Sequence, residues 1–206
     1  MTTTAVNVTP MTETQIAEAG PVLGRAFFDD PVTVFLLPDE RKRARVLPWL
    51  FRNTARYAHR WGETFTTGDK VEGAALWLPP GDVITSMSRM LRVGMGAMPF
   101  KVGLGDMMRM IGMMNVMEHH HKLTDPDHWY LYVLGVDTHR QGQGVGSQLI
   151  QPGLTRADAE GRFCYLETAK EINVTFYRKH GFEVVIDDHL PKGGPRYWTM
   201  RREPIG

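Results

Sequence analysis

The stretch 139-HRQGQGVGSQL-149 carries glycine at positions 142, 144 and 146 and runs into a segment with helical patterning. Glycine loses the most backbone freedom on ordering, so three of them on alternate positions need a structural reason. Immediately upstream, 128-HWYLYVLGV-136 is apolar on both alternating faces, as a central strand covered on both sides must be. A strand, a glycine-rich loop and a helix N-terminus together make an anion site. Unpaired backbone N–H groups and the positive end of the helix dipole point outward there, and glycine lets the main chain approach a phosphate with no Cβ in the way.

Several phosphate-binding loops share that plan, and their details differ. A P-loop ends in Gly-Lys-Ser/Thr, whereas this loop ends Gly146-Ser147 with no lysine. A dinucleotide fingerprint sets its third glycine where Ser147 stands and wants an acidic residue about twenty positions on. Glu167 has roughly that spacing, but the first two-thirds of the chain would then be an unexplained prefix. A plain turn gives no reason for three glycines before a good helix.

The rest of the chain alternates strands with helices, which argues for an α/β layered fold. A first strand is expected over 4–10 and a helix over 11–31, with a break or kink at Gly20-Pro21 because proline lacks the donor and crowds the preceding turn. A second helix covers about 40–60. Strands 64-TFTTG-68 and 71-VEGAALWLP-79 follow, joined by a tight turn around Gly68-Asp69. Ten of the thirteen methionines lie between Met87 and Met117, interleaved with glycines, and residues 82–122 read as two or three short helices. Such a surface suits an irregular apolar pocket or a mobile lid, and equally a core with methionine as filler. After the glycine loop come a helix of roughly 144–160, a buried strand 163-FCYLET-168, and a helix over 170–182 ending at Gly181. Strands 182-FEVVI-186 and 196-RYWTMR-201 close the chain. Pro152-Gly153 falls inside the helix after the loop, where a kink is expected.

Composition narrows the function classes. Apolar residues make up 42% of the 206 and charged residues 23%, with a net charge of +1, so neither nucleic acid nor membrane is an expected partner. The basic run 41-RKRAR-45 reads as a solvated helix face. Cys164 stands alone, which excludes an internal disulfide, and its strand context makes it a core thiol. MTTTAVNVTP lacks the basic-then-apolar order of an export signal, so a reducing cytoplasm is expected.

Gln141-Gly142-Gln143-Gly144-Val145-Gly146 resembles the Gln/Arg-x-x-Gly-x-Gly/Ala signature of the GNAT acetyltransferases, and 166-LETAKEINVTFYRKHGFE-183 resembles their second conserved region. The resemblance is closest to the branch containing puromycin N-acetyltransferase. It rests on 26-AFFDDP-31, 73-GAALW-77, 117-MEHHH-121 and 195-PRYWTM-200, and spans nearly the whole chain. It implies one GNAT domain over residues 1–206, with 82–122 on the acceptor side. It also implies a mixed, mostly antiparallel twisted sheet of six to seven strands, flanked by helices, with the fourth and fifth strands splayed. The implied activity is acetyl transfer from acetyl-CoA to a small-molecule primary amine, with no metal; homodimers occur in this superfamily.

By that resemblance the loop amides of Gln141, Gly142, Gln143, Gly144, Val145, Gly146 and Ser147 hold the pyrophosphate of CoA. Leu134, Gly135 and Val136 pair with its pantetheine arm, and the Val136 N–H stabilises the oxyanion. Asn173 lines the CoA channel and Tyr177 protonates the leaving thiolate. Asn173 and Tyr177 are four apart, so they share a helix face, and a phenol is protonated at neutral pH. Spacing alone would equally allow Tyr177 to be a packed aromatic. The base that deprotonates the amine is among Glu118, His119, His120, His121 and Glu167, with His121 at the spacing seen in the branch; His119 and His120 also suit a solvated helix end. Asp30 and Glu167 are candidates to hold the cationic amine, although Asp29 and Asp30 could instead cap or turn the chain before Pro31. Departures from the branch at Asp30 and in the methionine-rich segment fall on the acceptor side and weigh against puromycin itself. A protein or peptide N-acetyltransferase and a CoA-binding sensor without turnover remain alternatives.

Overall fold

The computed structural model describes residues 6–68 and 70–206. Residues 4 and 5 of the expected first strand, and Asp69 of the expected turn, lie outside the described residues. The strands are β1 (Val8–Pro10), β2 (Glu63–Thr67), β3 (Gly73–Leu78), β4 (Trp129–Val136), β5 (Cys164–Thr168), β6 (Glu183–His189) and β7 (Arg196–Arg202). They form one seven-stranded sheet in the order β1-β2-β3-β4-β5-β7-β6. Every neighbouring pair is antiparallel except β4 and β5, which are parallel. The mixed, mostly antiparallel sheet expected from the sequence is what the chain forms.

Two apolar layers cover the sheet. On one face Tyr130 and Val133 of β4, with Leu76 and Leu78 of β3, pack against α1 (Gln15–Ala26) and α3 (Glu40–Trp61). On the other, Trp129, Leu131 and Trp77 pack against α7 (Val145–Ala159) and α8 (Glu171–Arg178). The strand alternation slips once. Leu76 faces Val133 but Trp77 faces Leu131, so Tyr132 is an extra residue in β4. Tyr132 and Val133 both turn to the α1/α3 face, and Leu134 and Val136 then lie on the other.

β4 and β5 pair only at Trp129–Cys164 and Tyr130–Tyr165, and the ladder stops where the bulge begins. Asp137 N–H donates to Glu72 O on the β3 side at 2.8 Å. Successive backbone groups alternate along a strand. The N–H and C=O of Val136 and Leu134 therefore face β5, into the gap, while those of Gly135 face β3. Gly135 instead matters for packing, since a Cβ there would press on Leu23 of α1 and on Phe27 just beyond its end.

Several local expectations are corrected by packing. Helix α1 runs unbroken through Gly20-Pro21, because Gly20 and Gly24 abut Pro48 of α3 and that crossing offsets the hydrogen bond proline removes. Arg43, expected on a solvated face, is buried, with its guanidinium donating to Leu37 O at 2.8 Å and lying over Phe28. Lys42 pairs with Asp106 at 2.8 Å, whereas Arg41 and Arg45 are exposed. The methionine-rich segment holds α4 (Met87–Arg92), a short 3₁₀ turn, α5 (Met98–Val102), and then a single long helix, α6 (Leu104–Leu123). Gly105 and Gly112 do not break α6, and an added Cβ at either would meet nothing within 4 Å. Between α1 and α3, α2 (Pro31–Leu36) is capped by Asp30, which accepts from Val32 N–H at 3.0 Å.

Pro152-Gly153 does not interrupt α7. The glycine there serves the neighbouring sheet: a Cβ at position 153 would collide with the fully buried indole of Trp77. Gly153→Ala is therefore expected to destabilise the protein by about 1–3 kcal/mol in chemical denaturation, although alanine is the better helix former. An unchanged or raised midpoint would mean that α7 does not sit this close to β3.

Candidate active site

The glycine loop begins at a fixed point. The Asp137 carboxylate is buried and gripped by Arg25, whose Nε lies 3.1 and 3.3 Å from its two oxygens and whose Nη2 also bonds it. That guanidinium holds the Asp137 carboxyl below its ordinary range. His139 Nδ1 lies 3.0 Å from the same carboxylate. The loop's polar side chains then fold back onto the loop itself. Gln141 Nε2 donates to Val136 O at 3.0 Å, Gln143 Nε2 to His139 O at 2.9 Å, and Arg140 Nη1 to Gln143 Oε1 at 2.7 Å.

Gly142 and Gly144 take φ of +73° and +82°, the left-handed region that L side chains avoid. Gly144 is the N-cap of α7 and offers no side chain to its first amides. The first intrahelical bond shown runs from Gln148 N–H to Gly144 O, so the N–H groups of Val145, Gly146 and Ser147 precede it. The result is a cradle of main-chain donors with no Cβ in front of two of its residues. It adjoins the gap into which Val136 and Leu134 face.

Helix α8 closes the far side of that gap. It ends in a Schellman motif, with Phe182 N–H bonded to Tyr177 O at 3.2 Å, Gly181 N–H to Arg178 O at 3.1 Å, and Gly181 at φ +84°. Asn173 Nδ2 donates to Thr168 Oγ1 at 3.1 Å. Tyr177 lies one turn on, its ring against Phe176 and Phe182. Burial, reinforced by the charge of Asp30, pushes its phenol well above the ordinary value, so the hydroxyl keeps its proton.

Asn173, Tyr177 and Leu134 form one end of a cavity of about 360 Å³ that continues between α2, α3, α6 and the sheet. Seven methionines, among them Met110, Met113, Met114 and Met117 of α6, supply much of its wall. Asp30, Glu118, His121, Tyr130 and Glu167 also line it. Of the candidate carboxylates, Asp30 is buried, and burial raises its pKa against the opposing pull of Lys170. Glu118 is half-exposed and bonded to Lys122 at 2.6 Å.

The densest polar cluster centres on Glu167. Tyr130 Oη donates to its Oε2 at 2.6 Å, and His121 Nε2 stands 3.4 Å from Oε1. Among the described residues, Glu167 Oε1 and both ring nitrogens of His121 are buried without a well-formed hydrogen bond. The three histidines separate. His119 is exposed; His120, expected at a solvated helix end, is buried against Tyr197 where the end of α6 docks on the sheet; His121 faces the cavity.

Sequence reasoning missed Tyr130 and His128. His128 is fully buried and stacks on His121 with centroids 5.4 Å apart and planes 7° apart. Its Nδ1 lies 2.6 Å from Asp125 O, so a neutral ring carries its proton there. Tyr130 was detectable in principle from strand parity on 128-HWYLYV-133; nothing in the sequence marks His128 as a partner of His121. Among the described residues no group of three or more metal-ligating side chains comes together, and no helix is long and apolar enough to cross a membrane.

Comparison with known proteins identifies the family. Residues 105–184 match the Acetyltransferase (GNAT) domain family. The chain is 31% identical over 173 residues to an uncharacterized N-acetyltransferase of Schizosaccharomyces pombe, covering 80% of this chain and 69% of that one. The chain belongs to the GNAT family. It is an N-acetyltransferase, and the family uses acetyl-CoA. Two solved structures share the GNAT fold. One is described as histone acetyltransferase HPA2 and related acetyltransferase from Corynebacterium glutamicum, at TM-score 0.69 and 22% identity over 98% of both chains. The other is arylalkylamine N-acetyltransferase 2 from Aedes aegypti, at TM-score 0.65 and 14% identity over 97% of this chain and 99% of that one. At these identities they share an architecture, and the acceptor must be read from this chain's own cavity.

Burial holds the His128 pKa down to about 4. The unfolded chain therefore binds one more proton than the native state between about pH 6.5 and 4. This contribution to stability is complete above pH 6.5 and is lost as the pH falls toward 4, with a slope of up to about 1.4 kcal/mol per pH unit. Denaturant melts should show His128→Phe with a shallower loss of stability than wild type over this window. Parallel pH curves for the two proteins would contradict a buried neutral His128.

Proposed function

We propose that the protein transfers the acetyl group of acetyl-CoA directly to a primary amine of a small molecule, both bound together in the continuous space between the glycine loop and the methionine-lined cavity. That continuity carries the reading: Tyr177, Asn173 and Leu134 beside the gap line the same cavity as His121 and Glu167. The chain fits the donor. The loop amides of Gln141 to Ser147 would bind the pyrophosphate at the N-terminus of α7, and the gap-facing backbone of Leu134 and Val136 would pair with the pantetheine arm. Acetyl-CoA supplies an acetyl group activated as a thioester.

Each residue then has a task set by its chemistry. The Val136 N–H stabilises the negative charge that builds on the carbonyl oxygen as the amine attacks. His121 takes the proton the amine must lose, with Glu167 stabilising the imidazolium from 3.4 Å. Glu167 and Asp30 attract the ammonium form into the cavity, and Glu118 adds negative charge at its wall. The Tyr177 hydroxyl, which holds its proton until the thioester breaks, hands that proton to the departing thiolate, and the phenolate takes one back from solvent as the products leave. A small molecule fits better than a polypeptide because the acceptor space is a walled cavity lined by side chains from helices α2, α3 and α6.

Thiol release from acetyl-CoA across a panel of amines, antibiotics and peptides tests the reading. Wild type should release thiol with small amines. Tyr177→Phe should bind CoA normally and lose on the order of 10²–10⁴-fold in kcat. Failure to bind CoA, or full activity in Tyr177→Phe, would overturn the assignment; turnover confined to peptides would overturn the small-molecule acceptor.

A further inference from the structure

We infer that the acceptor is an apolar primary monoamine: one ammonium group on a neutral alkyl or arylalkyl body, with no carboxylate and no second charge. The inference rests on the transfer reading above and names the acceptor class of that same cavity. Among the described residues that line it, the charged groups are the carboxylates of Asp30, Glu118 and Glu167, with no lysine or arginine. Two of these stand where chemistry would occur: Glu167 beside His121, and Asp30 close enough to act on the Tyr177 phenol. Glu167 Oε1 is buried and lacks a well-formed hydrogen bond, so it presents an acceptor to an incoming N–H donor. An acidic group attached next to the amine, as in an amino acid, would be forced among like charges.

Away from that end the wall changes character. Met110, Met113, Met114, Met117, Glu118 and His121 all line the cavity, the spacing of a single face of α6. At 1.5 Å per residue, Met113 lies about 12 Å and Met110 about 16 Å along the helix from His121. From α3 come Leu47, Leu50, Phe51 and Thr54, whose hydroxyl donates to Leu50 O at 3.1 Å. A ligand with its amine at His121 therefore runs its body along thioether and hydrocarbon. A second ammonium or a carboxylate there would be desolvated without a partner. Methionine's flexible side chain lets such a wall fit bodies of differing length and shape.

A homologous series tests this by binding, independently of turnover. Butylamine through octylamine, 6-aminohexanoate and 1,6-diaminohexane are titrated calorimetrically into the protein with and without CoA, with thiol release from acetyl-CoA followed in parallel. Affinity should rise about fourfold per added methylene. The amino acid and the diamine should bind on the order of 30-fold or more weakly than hexylamine. Met113→Glu, at a half-buried position that tolerates change, should shift preference toward 1,8-diaminooctane over octylamine by on the order of tenfold. A flat series, a charged analogue within about threefold of hexylamine, or an unaltered preference in Met113→Glu would overturn the inference. Selective binding of the series without thiol release would support the acceptor class and overturn the transfer reading. Turnover of charged acceptors without selective binding of the series would do the reverse.

Discussion

One extra residue in β4 organises the site. Without Tyr132 as a bulge, β4 would keep its register and its ladder with β5 could continue beyond Tyr130. With it, the parity of the strand flips and the polar backbone of Leu134 and Val136 turns into a gap between two parallel strands. Gln141 meets the Val136 carbonyl; a backbone group taken from water with no partner costs about 1–3 kcal/mol, so the rest of the gap calls for another source of hydrogen bonds. In the proposed function that partner is the amide-bearing arm of acetyl-CoA, and the cost of the open ladder is offset by binding.

The two halves of the site are held in different ways, which suits different demands. The donor side is fixed. Arg25 pins Asp137 at the end of β4, Gln141 bonds the last β4 carbonyl, and Gly153 lets α7 seat directly on Trp77. In the proposed function, small errors there would misalign the amide and hydroxyl donors assigned to the reacting atoms. The proposed acceptor side is walled largely by methionines between Met90 and Met117, whose flexible thioethers make it apolar without imposing one shape. Between the halves, the Tyr130–Glu167–His121 cluster joins the sheet to α6, so the groups proposed to handle the amine are held by both layers.

Legibility in the sequence followed how local each determinant is. The glycine loop, the Asn173–Tyr177 helix and the Gly181 terminus are set by residues within a few positions, and each was readable with near-correct bounds. The fold class followed from the order of strands and helices, and the splayed pair from resemblance to a family. What escaped depends on distant contacts. A bulge in an all-apolar strand leaves no mark on the hydrophobic pattern, because both faces accept the same residues. The helix does not break at Pro21, and the Gly20–Pro48 contact that holds it is invisible along the chain. The methionine-rich segment reads as two or three short helices, and the last of its three helices, α6, is instead long. His128 joins the site by stacking on His121 across a turn.

The central claim is that the Val136 amide and the loop amides receive acetyl-CoA. Amide hydrogen–deuterium exchange with and without CoA tests it at those atoms. The account predicts slowed exchange at Val136 and across Gln143–Ser147, with the β6–β7 pair unchanged. Protection elsewhere with none at these amides would contradict it.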